Sequence, residues 1–253
     1  MNRPATFEEL LHEGASVPVA GWDFSWFEGR ATEERPSWGY LRLMSARMER
    51  AHAAVDVQTG GGEVLAEVPK LAPVTVATEN WPPNLALARR TLEPLNVRVV
   101  EVPEDAEFPF GDDSFDLVVS RHPNVVRWDE VARILQPGGT YLSQQIGAGS
   151  NRELAEFLMG PRPVSDARNP ARAAAAAEAA GLVVTDLRRE ALRTTFNDIA
   201  AVVHFLRKVI WTVPDFSVAR YRQRLAELHE HIRRYGPFEA HAQRFLIEAH
   251  KPG

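Results

Sequence analysis

Short apolar runs alternate with longer helical segments between about residues 53 and 145, and this alternation restricts the possible folds more than any other feature. Parallel strands are buried on both faces, so they read as continuous runs rich in Val, Leu and Ile. Strands that alternate with helical patterns are typical of βαβ units. The sequence therefore predicts an α/β fold in which helices cover both faces of a largely parallel sheet.

The runs predict seven strands and at least four helices. The strands are expected at residues 53–57, 74–78, 97–100, 115–120, 139–144, 182–189 and 242–250. The helices are expected at residues 63–68, 84–92 and 129–135 and in the alanine-rich run 171–180, which Gly181 ends. Pro137, Gly138 and Gly139 are expected to end the third helix and start the fifth strand.

Two segments outside this pattern are too rich in apolar and aromatic residues to be solvent loops. Residues 1–50, with Trp22, Trp26 and Trp38, are expected to form an N-terminal helical cap. Residues 191–237 are expected to form a helical capping insertion between the sixth and seventh strands. Because the last strand returns to the same sheet, we expect one domain over residues 1–253.

The composition excludes several kinds of chemistry. The chain has no cysteine, so disulfides, zinc–thiolate sites, iron–sulfur clusters and thiol nucleophiles are excluded. The formal net charge of -5 disfavours a general nucleic-acid binder. The sequence has no apolar run long enough to span a bilayer, and its first eleven residues include Glu8 and Glu9, where a signal peptide would have a basic start and an apolar core. We therefore expect a cytoplasmic protein without membrane association. The sequence leaves open whether it is a monomer or a homodimer.

A glycine-rich turn follows the first predicted strand. Asp56 ends the strand, and Gly60, Gly61 and Gly62 precede the helix that begins near Glu63. Glycine allows a tight turn and close approach of backbone to a ligand, although such a turn is often only structural. Glu79 ends the second strand, where a carboxylate can accept ribose hydroxyls or interact with a helix N-terminus.

The chain contains four motif-like stretches, in this order: VDVQTGGGE, VATEN, DAEFPFGDDSFDLVVSRH and EVARILQPGG. Their order and spacing resemble those of the class I S-adenosylmethionine-dependent methyltransferases of the small-molecule type, with methyltransferase-11-like motifs. The resemblance implies a Rossmann-like sheet with an antiparallel last strand and S-adenosylmethionine as the cofactor. A dinucleotide oxidoreductase is excluded because the turn has no third glycine at the G-x-G-x-x-G spacing.

The resemblance also implies a role for each matching residue. Asp56 and the backbone at Gly60 and Gly62 would hold the methionine part of the cofactor, and Glu79 would bind the ribose. Gln58 replaces the first glycine of the D-x-G-x-G-x-G pattern, so it either donates a hydrogen bond to the methionine group or reduces affinity. The other expected cofactor contacts are Asn80 beside the adenine, Asp105 on its amino group, Ala106 on its ring, and Ser120 and Arg121 beneath the sulfonium.

His122 is the best candidate for a general base, because it follows the fourth strand and imidazole titrates near neutral pH. The alternative is that it bonds a carbonyl group of the loop before Pro123. His204 and Asp215 are weaker candidates. The acceptor pocket is expected to involve Trp26, Arg30, His204, Trp211 and Phe216, with Arg30 pairing either a ligand carboxylate or one of the nearby acids Glu28, Glu33 and Glu34.

Residues 188–234 contain ten Lys or Arg and five Asp or Glu. Arg220, Arg222 and Arg224 lie in one predicted helix, where they could bind RNA or an anionic substrate. Glu227 and Glu230 could instead pair with them at helical spacing. Methyl transfer to a small molecule is therefore the leading hypothesis. The alternatives are an RNA or protein methyltransferase and a non-catalytic S-adenosylmethionine-binding protein.

Overall fold

The computed structural model describes residues 5–19 and 24–253, so Trp22 lies outside the described residues. The chain divides into two compact units. The first contains Met1–Arg35, Gly149–Ser165 and Ala191–Gln243, and the second contains Pro36–Ala148, Asp166–Glu190 and Arg244–Gly253. The expectation of a single domain stays a prediction.

The described residues form nine α-helices and eight strands. The helices are α1 (Phe7–Ser16), α2 (Tyr40–Met48), α3 (Glu63–Ala66), α4 (Pro82–Leu92), α5 (Trp128–Ile134), α6 (Arg152–Met159), α7 (Pro170–Ala179), α8 (Ile199–Lys208) and α9 (Val218–Tyr235). The strands are β1 (Ala31–Glu33), β2 (Ala53–Asp56), β3 (Val74–Glu79), β4 (Arg98–Glu101), β5 (Phe115–Arg121), β6 (Leu135–Ile146), β7 (Val183–Phe196) and β8 (Phe238–His250).

The strands are hydrogen bonded in the order β1-β7-β8-β6-β5-β2-β3-β4. Strands β2 to β6 pair in parallel, whereas β8 is antiparallel to β6 and β1 is antiparallel to β7. The Rossmann-like α/β fold with a mixed sheet and an antiparallel last strand is therefore confirmed. The number of seven strands is wrong.

The additional strand, β1, lies in the segment that was expected to be a helical cap. It forms because β7 continues to Phe196 and offers an edge, so that Ala31 pairs with Phe196 and Glu33 with Thr194. The Thr32 and Thr195 hydroxyls also bond across the pair at 2.7 Å. Three residues with a single apolar side chain carry no strand pattern of their own, so this strand depends on tertiary pairing.

The core of the second unit lies on both faces of its sheet, because successive residues of a strand point to opposite faces. On one face, Ala54, Leu117 and Leu142 pack with Trp38 and with Met44 of α2. The next residues along the same strands, including Val55, Val118 and Tyr141, belong to the cluster on the other face. This double burial explains why these strands were recognisable as continuous apolar runs.

The first unit has a separate helical core. Helix α1 begins with a capping box in which Thr6 and Glu9 bond each other reciprocally. Leu11 of α1, Leu154 of α6, Val203 of α8 and Leu228 of α9 belong to one buried cluster. No helix in the described part of the chain combines the length and the apolar character that crossing a membrane requires.

Candidate functional site

The candidate site lies where the strand order of the second unit reverses. From β2 the chain moves outward through β3 to β4, whereas β5 lies on the other side of β2 and is followed by β6. In open parallel sheets, ligands bind in the crevice outside the carboxyl ends of strands at such a switch point. Here Asp56 ends β2 and Arg121 ends β5, so the predicted cofactor residues surround this position.

The glycine-rich turn after β2 depends on left-handed backbone conformations. The φ angles are 57° at Gln58, 68° at Gly60 and 82° at Gly62. A Cβ atom at Gly62 would lie 2.7 Å from Cγ of Leu92, so the turn is pressed against α4. Glycine is therefore needed here both for its conformation and for the close approach.

Asp56 is a buried carboxylate at the start of this turn, with 6% of its surface exposed. Its Oδ2 accepts a 2.6 Å hydrogen bond from the Thr59 hydroxyl. Burial raises the pKa of Asp56 from 3.8 to about 7, the Thr59 bond opposes the rise, and the Glu79 carboxylate adds to it. A carboxylate in this state is stabilised by a cationic ligand. Thr59 was not singled out by the sequence analysis, although its place between Asp56 and the glycines was a usable signal.

Glu79, the residue expected to bind the ribose, is buried at the end of β3. Its Oε2 accepts from the Gly60 amide at 2.8 Å, and its Oε1 accepts from the Asn80 and Trp81 amides at 2.8 and 3.0 Å. A carboxylate offers about four acceptor positions, so about one remains for a hydroxyl. Binding of both ribose hydroxyls would require Glu79 to give up a backbone bond.

The Gln58 side chain bonds the loop that follows β5. Its Nε2 donates to the Val125 carbonyl at 2.7 Å, and its Oε1 accepts from the Asn124 amide at 2.7 Å. Both ends of the amide are therefore engaged with the loop after β5. The two expected alternatives, a bond to the methionine group and a loss of affinity, stay predictions.

The remaining predicted cofactor residues lie around the same edge of the sheet. Asn80 and Asp105 are exposed, and Ala106 is half-buried in the loop after β4. The Ser120 side chain is buried and bonded to the Tyr141 and Ser143 hydroxyls at 2.9 Å, so it is already occupied. Arg121, the last residue of β5, is exposed.

His122 is held in one neutral tautomer by a chain of hydrogen bonds. The Trp38 Nε1 group can only donate, and it donates to Gln144 Oε1 at 2.8 Å. Gln144 Nε2 must therefore donate to His122 Nε2 at 3.0 Å, which places the imidazole proton on Nδ1. Burial lowers the pKa of His122 well below 6.5, and Arg121, Arg244 and Arg168 lower it further. Because its lone pair is already used, this geometry favours a structural role, although through Gln144 rather than through a loop carbonyl.

Three of the predicted pocket residues come together in the first unit. The His204 ring lies 4.9 Å from the Trp26 ring, and the Arg30 guanidinium lies 4.6 Å above Trp26. His204 is 1% exposed, and burial, followed by Lys208 and Arg207, lowers its pKa to about 4. It is therefore neutral at neutral pH.

Arg30 does not pair with any of the three acids expected from the sequence. It binds Glu13 at 2.6 Å and Asp198 at 3.4 Å. Trp211 is 39% exposed, and Phe216 stacks on Tyr221 with ring centroids 5.8 Å apart. Both lie between α8 and α9, as does the exposed Asp215.

Two of the three arginines singled out from the sequence of α9 are paired with acids of the first unit. Arg222 binds Glu8, and Arg224 binds Glu227 at 2.7 Å. Arg220 lies over the Tyr221 ring at 5.7 Å. Only the Arg224–Glu227 pair is one of the expected local partners, because Glu230 pairs with Arg233 instead. The two ion pairs nevertheless weaken the case for an RNA-binding surface.

Comparison with known proteins identifies the domain that carries this site. Residues 55–143 match the family model described as "Methyltransferase domain". Over this region the chain therefore contains a methyltransferase domain. The matched residues begin in β2 and end in β6, so they include the glycine-rich turn, Glu79 and the loop after β5. A comparison with curated proteins finds no significant match.

Solved structures resemble nearly the whole chain. A candidate methyltransferase from Bacillus halodurans is 19% identical, with a TM-score of 0.61 over 86% of this chain and 99% of its own. The YcgJ protein from Bacillus subtilis is also 19% identical, with a TM-score of 0.61 over 85% of this chain and 98% of its own. The cyclase SpnF is 17% identical, with a TM-score of 0.52 over 96% and 92%. These identities establish the common fold and leave the acceptor open.

Proposed function

We propose that this methyltransferase binds S-adenosylmethionine in the switch-point crevice of the second unit and transfers its methyl group to a small-molecule acceptor. The observation that carries the proposal is the pair of buried carboxylates, Asp56 and Glu79, on either side of the glycine-rich turn. Two buried acids in proximity are unfavourable unless a ligand compensates them. A ligand with an ammonium group offers Asp56 a cationic partner, and a ribose hydroxyl fits the one remaining acceptor position of Glu79.

The residues present fit the cofactor in their chemistry. The Asp56 carboxylate would hold the methionine ammonium group, and Glu79 would accept a ribose hydroxyl at its remaining acceptor position. When bound, the cofactor supplies an electrophilic methyl group on a sulfonium, so the chain needs chiefly to align the acceptor and exclude water. A base is required only for an acceptor that must lose a proton.

The raised pKa of Asp56 gives the proposal a specific pH signature. Below pH 7 the free protein carries a proton on Asp56 that an ammonium ligand must displace. We therefore expect uptake of S-adenosylmethionine at pH 6 to release close to one proton, and affinity to fall by nearly tenfold between pH 7.5 and pH 6. Calorimetric titration in buffers of different ionisation enthalpy measures both quantities. Absence of binding at millimolar S-adenosylmethionine would refute the proposal.

The position of the ribose is tested by Glu79→Ala, which should weaken binding at least tenfold, or about 1.4 kcal/mol. Glu101→Ala is a matched control, because Glu101 is aligned with Glu79 in the neighbouring strand but is exposed. Equal effects of the two substitutions would show that the ribose lies elsewhere.

The size of the acceptor is tested with S-adenosylmethionine labelled in the methyl group. The protein is incubated with a cell extract, and the products are separated by ultrafiltration. We expect the label in the filtrate as a small methylated product. Label retained on RNA or protein would favour the alternative acceptors. Cofactor binding without any transfer would favour a binding protein or another reaction on this fold, which the cyclase SpnF shows to be compatible with other chemistry.

A further inference from the structure

The crevice at the switch point is bridged on one side by a single side chain. Loops that follow β2 and β5 diverge, because the chain continues from these strands in opposite directions across the sheet. The Gln58 side chain connects the two loops. Its Oε1 accepts from the Asn124 backbone amide, and its Nε2 donates to the Val125 carbonyl, each at 2.7 Å. The two bonds use the donor and the acceptor of one side-chain amide, so they fix its orientation.

The bridged loop is attached at its other end to the loop after β4. We refer to residues 123–127 as the strap. Arg127 donates to the carbonyls of Asp105 and Ala106 at 3.0 and 3.3 Å. The Asn124 side chain also donates to Glu104. The strap therefore connects the glycine-rich turn with the segment that is expected to contact the adenine.

Gln58 makes this connection from a left-handed backbone conformation that residues other than glycine rarely adopt. Its φ angle is 57°, and the turn is further fixed because the backbone amide of Gln58 donates a 3.1 Å hydrogen bond to the Thr78 hydroxyl. Glycine is the residue that adopts this conformation without strain. The presence of glutamine at such a position needs a compensating interaction, and the two bonds to the strap supply one.

We propose that Gln58 is a positioning residue that holds the strap across the switch-point crevice and thereby fixes one wall of the cofactor site. The part of this inference that concerns the cofactor rests on the proposed function. The hold on the strap itself does not, because it is a property of the free protein.

Hydrogen exchange of the Asn124 amide tests the hold without any ligand, because this amide donates to Gln58. We expect Gln58→Gly to exchange about tenfold faster at Asn124 than the original protein. Gln58→Asn should do the same, since it tolerates a left-handed backbone but is one methylene too short to bridge the loops. Gln58→Glu keeps the acceptor and should keep most of the protection. Unchanged exchange in the glycine variant would overturn the inference.

A double-mutant cycle tests whether the strap transmits the effect to the cofactor. Gln58→Gly and Arg127→Gln release the strap from opposite ends, so each should weaken S-adenosylmethionine binding several-fold. The double variant should bind about as weakly as the weaker single variant, because both changes free the same segment. Fully additive losses would mean that Gln58 acts on the cofactor directly, which contradicts the proposal. If the original protein does not bind the cofactor, the proposed function fails while the exchange experiment still decides the role of Gln58.

Discussion

Replacing Asp56 with asparagine should stabilise the folded protein while removing cofactor binding. Asp56 is 6% exposed, and its principal contact is the Thr59 hydroxyl, which an asparagine oxygen can also accept. The substitution therefore keeps the local hydrogen bond and the size of the side chain. It removes a buried negative charge that lies close to a second carboxylate, Glu79.

The size of the effect follows from proton linkage. The pKa of Asp56 rises from 3.8 to about 7, which sets a ceiling of about 4 kcal/mol at 1.36 kcal/mol per unit. The folded state holds the Asp56 proton more tightly than the unfolded state does. The ionised carboxylate therefore does not destabilise the fold below pH 3.8, and it destabilises the fold fully only above pH 7. The gain from Asp56→Asn should therefore grow from about 2 kcal/mol at pH 5 to about 4 kcal/mol at pH 8.

Urea unfolding of both proteins at several pH values measures this difference, with circular dichroism and fluorescence followed together to check that the transitions coincide. Glu101→Gln is the control, because it neutralises an exposed carboxylate at the end of the neighbouring strand β4 and should show no such pH dependence. A gain that does not change between pH 5 and pH 8, or a loss of stability at pH 8, would refute the assignment of Asp56 as a buried group with a raised pKa.

Two further predictions follow from the same unit. His122→Ala should reduce kcat by no more than about tenfold, because the Nε2 lone pair is already bonded to Gln144; a loss of a thousandfold in transfer assays would restore His122 as the base. Gly62→Ala should destabilise the fold by about 1–3 kcal/mol more than Gly181→Ala. Both glycines have a positive φ, but of the two only Gly62 has a side chain, that of Leu92, within 4 Å of the added Cβ atom. Equal losses of stability in urea unfolding would show that the contact with Leu92 does not matter.

The fold was predictable from sequence where burial leaves a pattern along the chain. Strands such as β2 and β5 are covered on both faces, so each has a short apolar run at its centre and their limits were found within a residue or two. Strand β1 could not be found in this way, because it exists only through pairing with the extension of β7. The extension of β7 lies in the segment that was assigned to the helical insertion instead, and β8 starts at Phe238, ahead of the expected residue 242. At the start of β8 the sequence did carry a strand signal, because Phe238, Ala240 and Ala242 are buried and alternate with polar residues.

The residues of the candidate site likewise include some that the sequence predicts and some whose state depends on tertiary contacts. Asp56, Glu79 and the glycines occupy the ends of elements that the sequence reveals, so their convergence at one edge of the sheet could be expected. The state of His122 could not, because it depends on Trp38 and Gln144, which are far away in sequence. The partners of Arg30 were equally hidden, since Glu13 and Asp198 reach it only through the packing of the first unit.

Gln58 and Asp56 show two opposite ways in which this turn departs from maximum stability. Asp56 is a buried acid whose negative charge lowers the stability of the fold at neutral pH, and a bound cation would offset this loss. Gln58 is kept in a strained backbone, but its strain is compensated within the free protein by bonds to the strap. The first departure therefore makes ligand binding favourable, whereas the second prepares the wall against which the ligand lies. This difference explains why Asp56→Asn should stabilise the empty protein, while Gln58→Gly should chiefly loosen it.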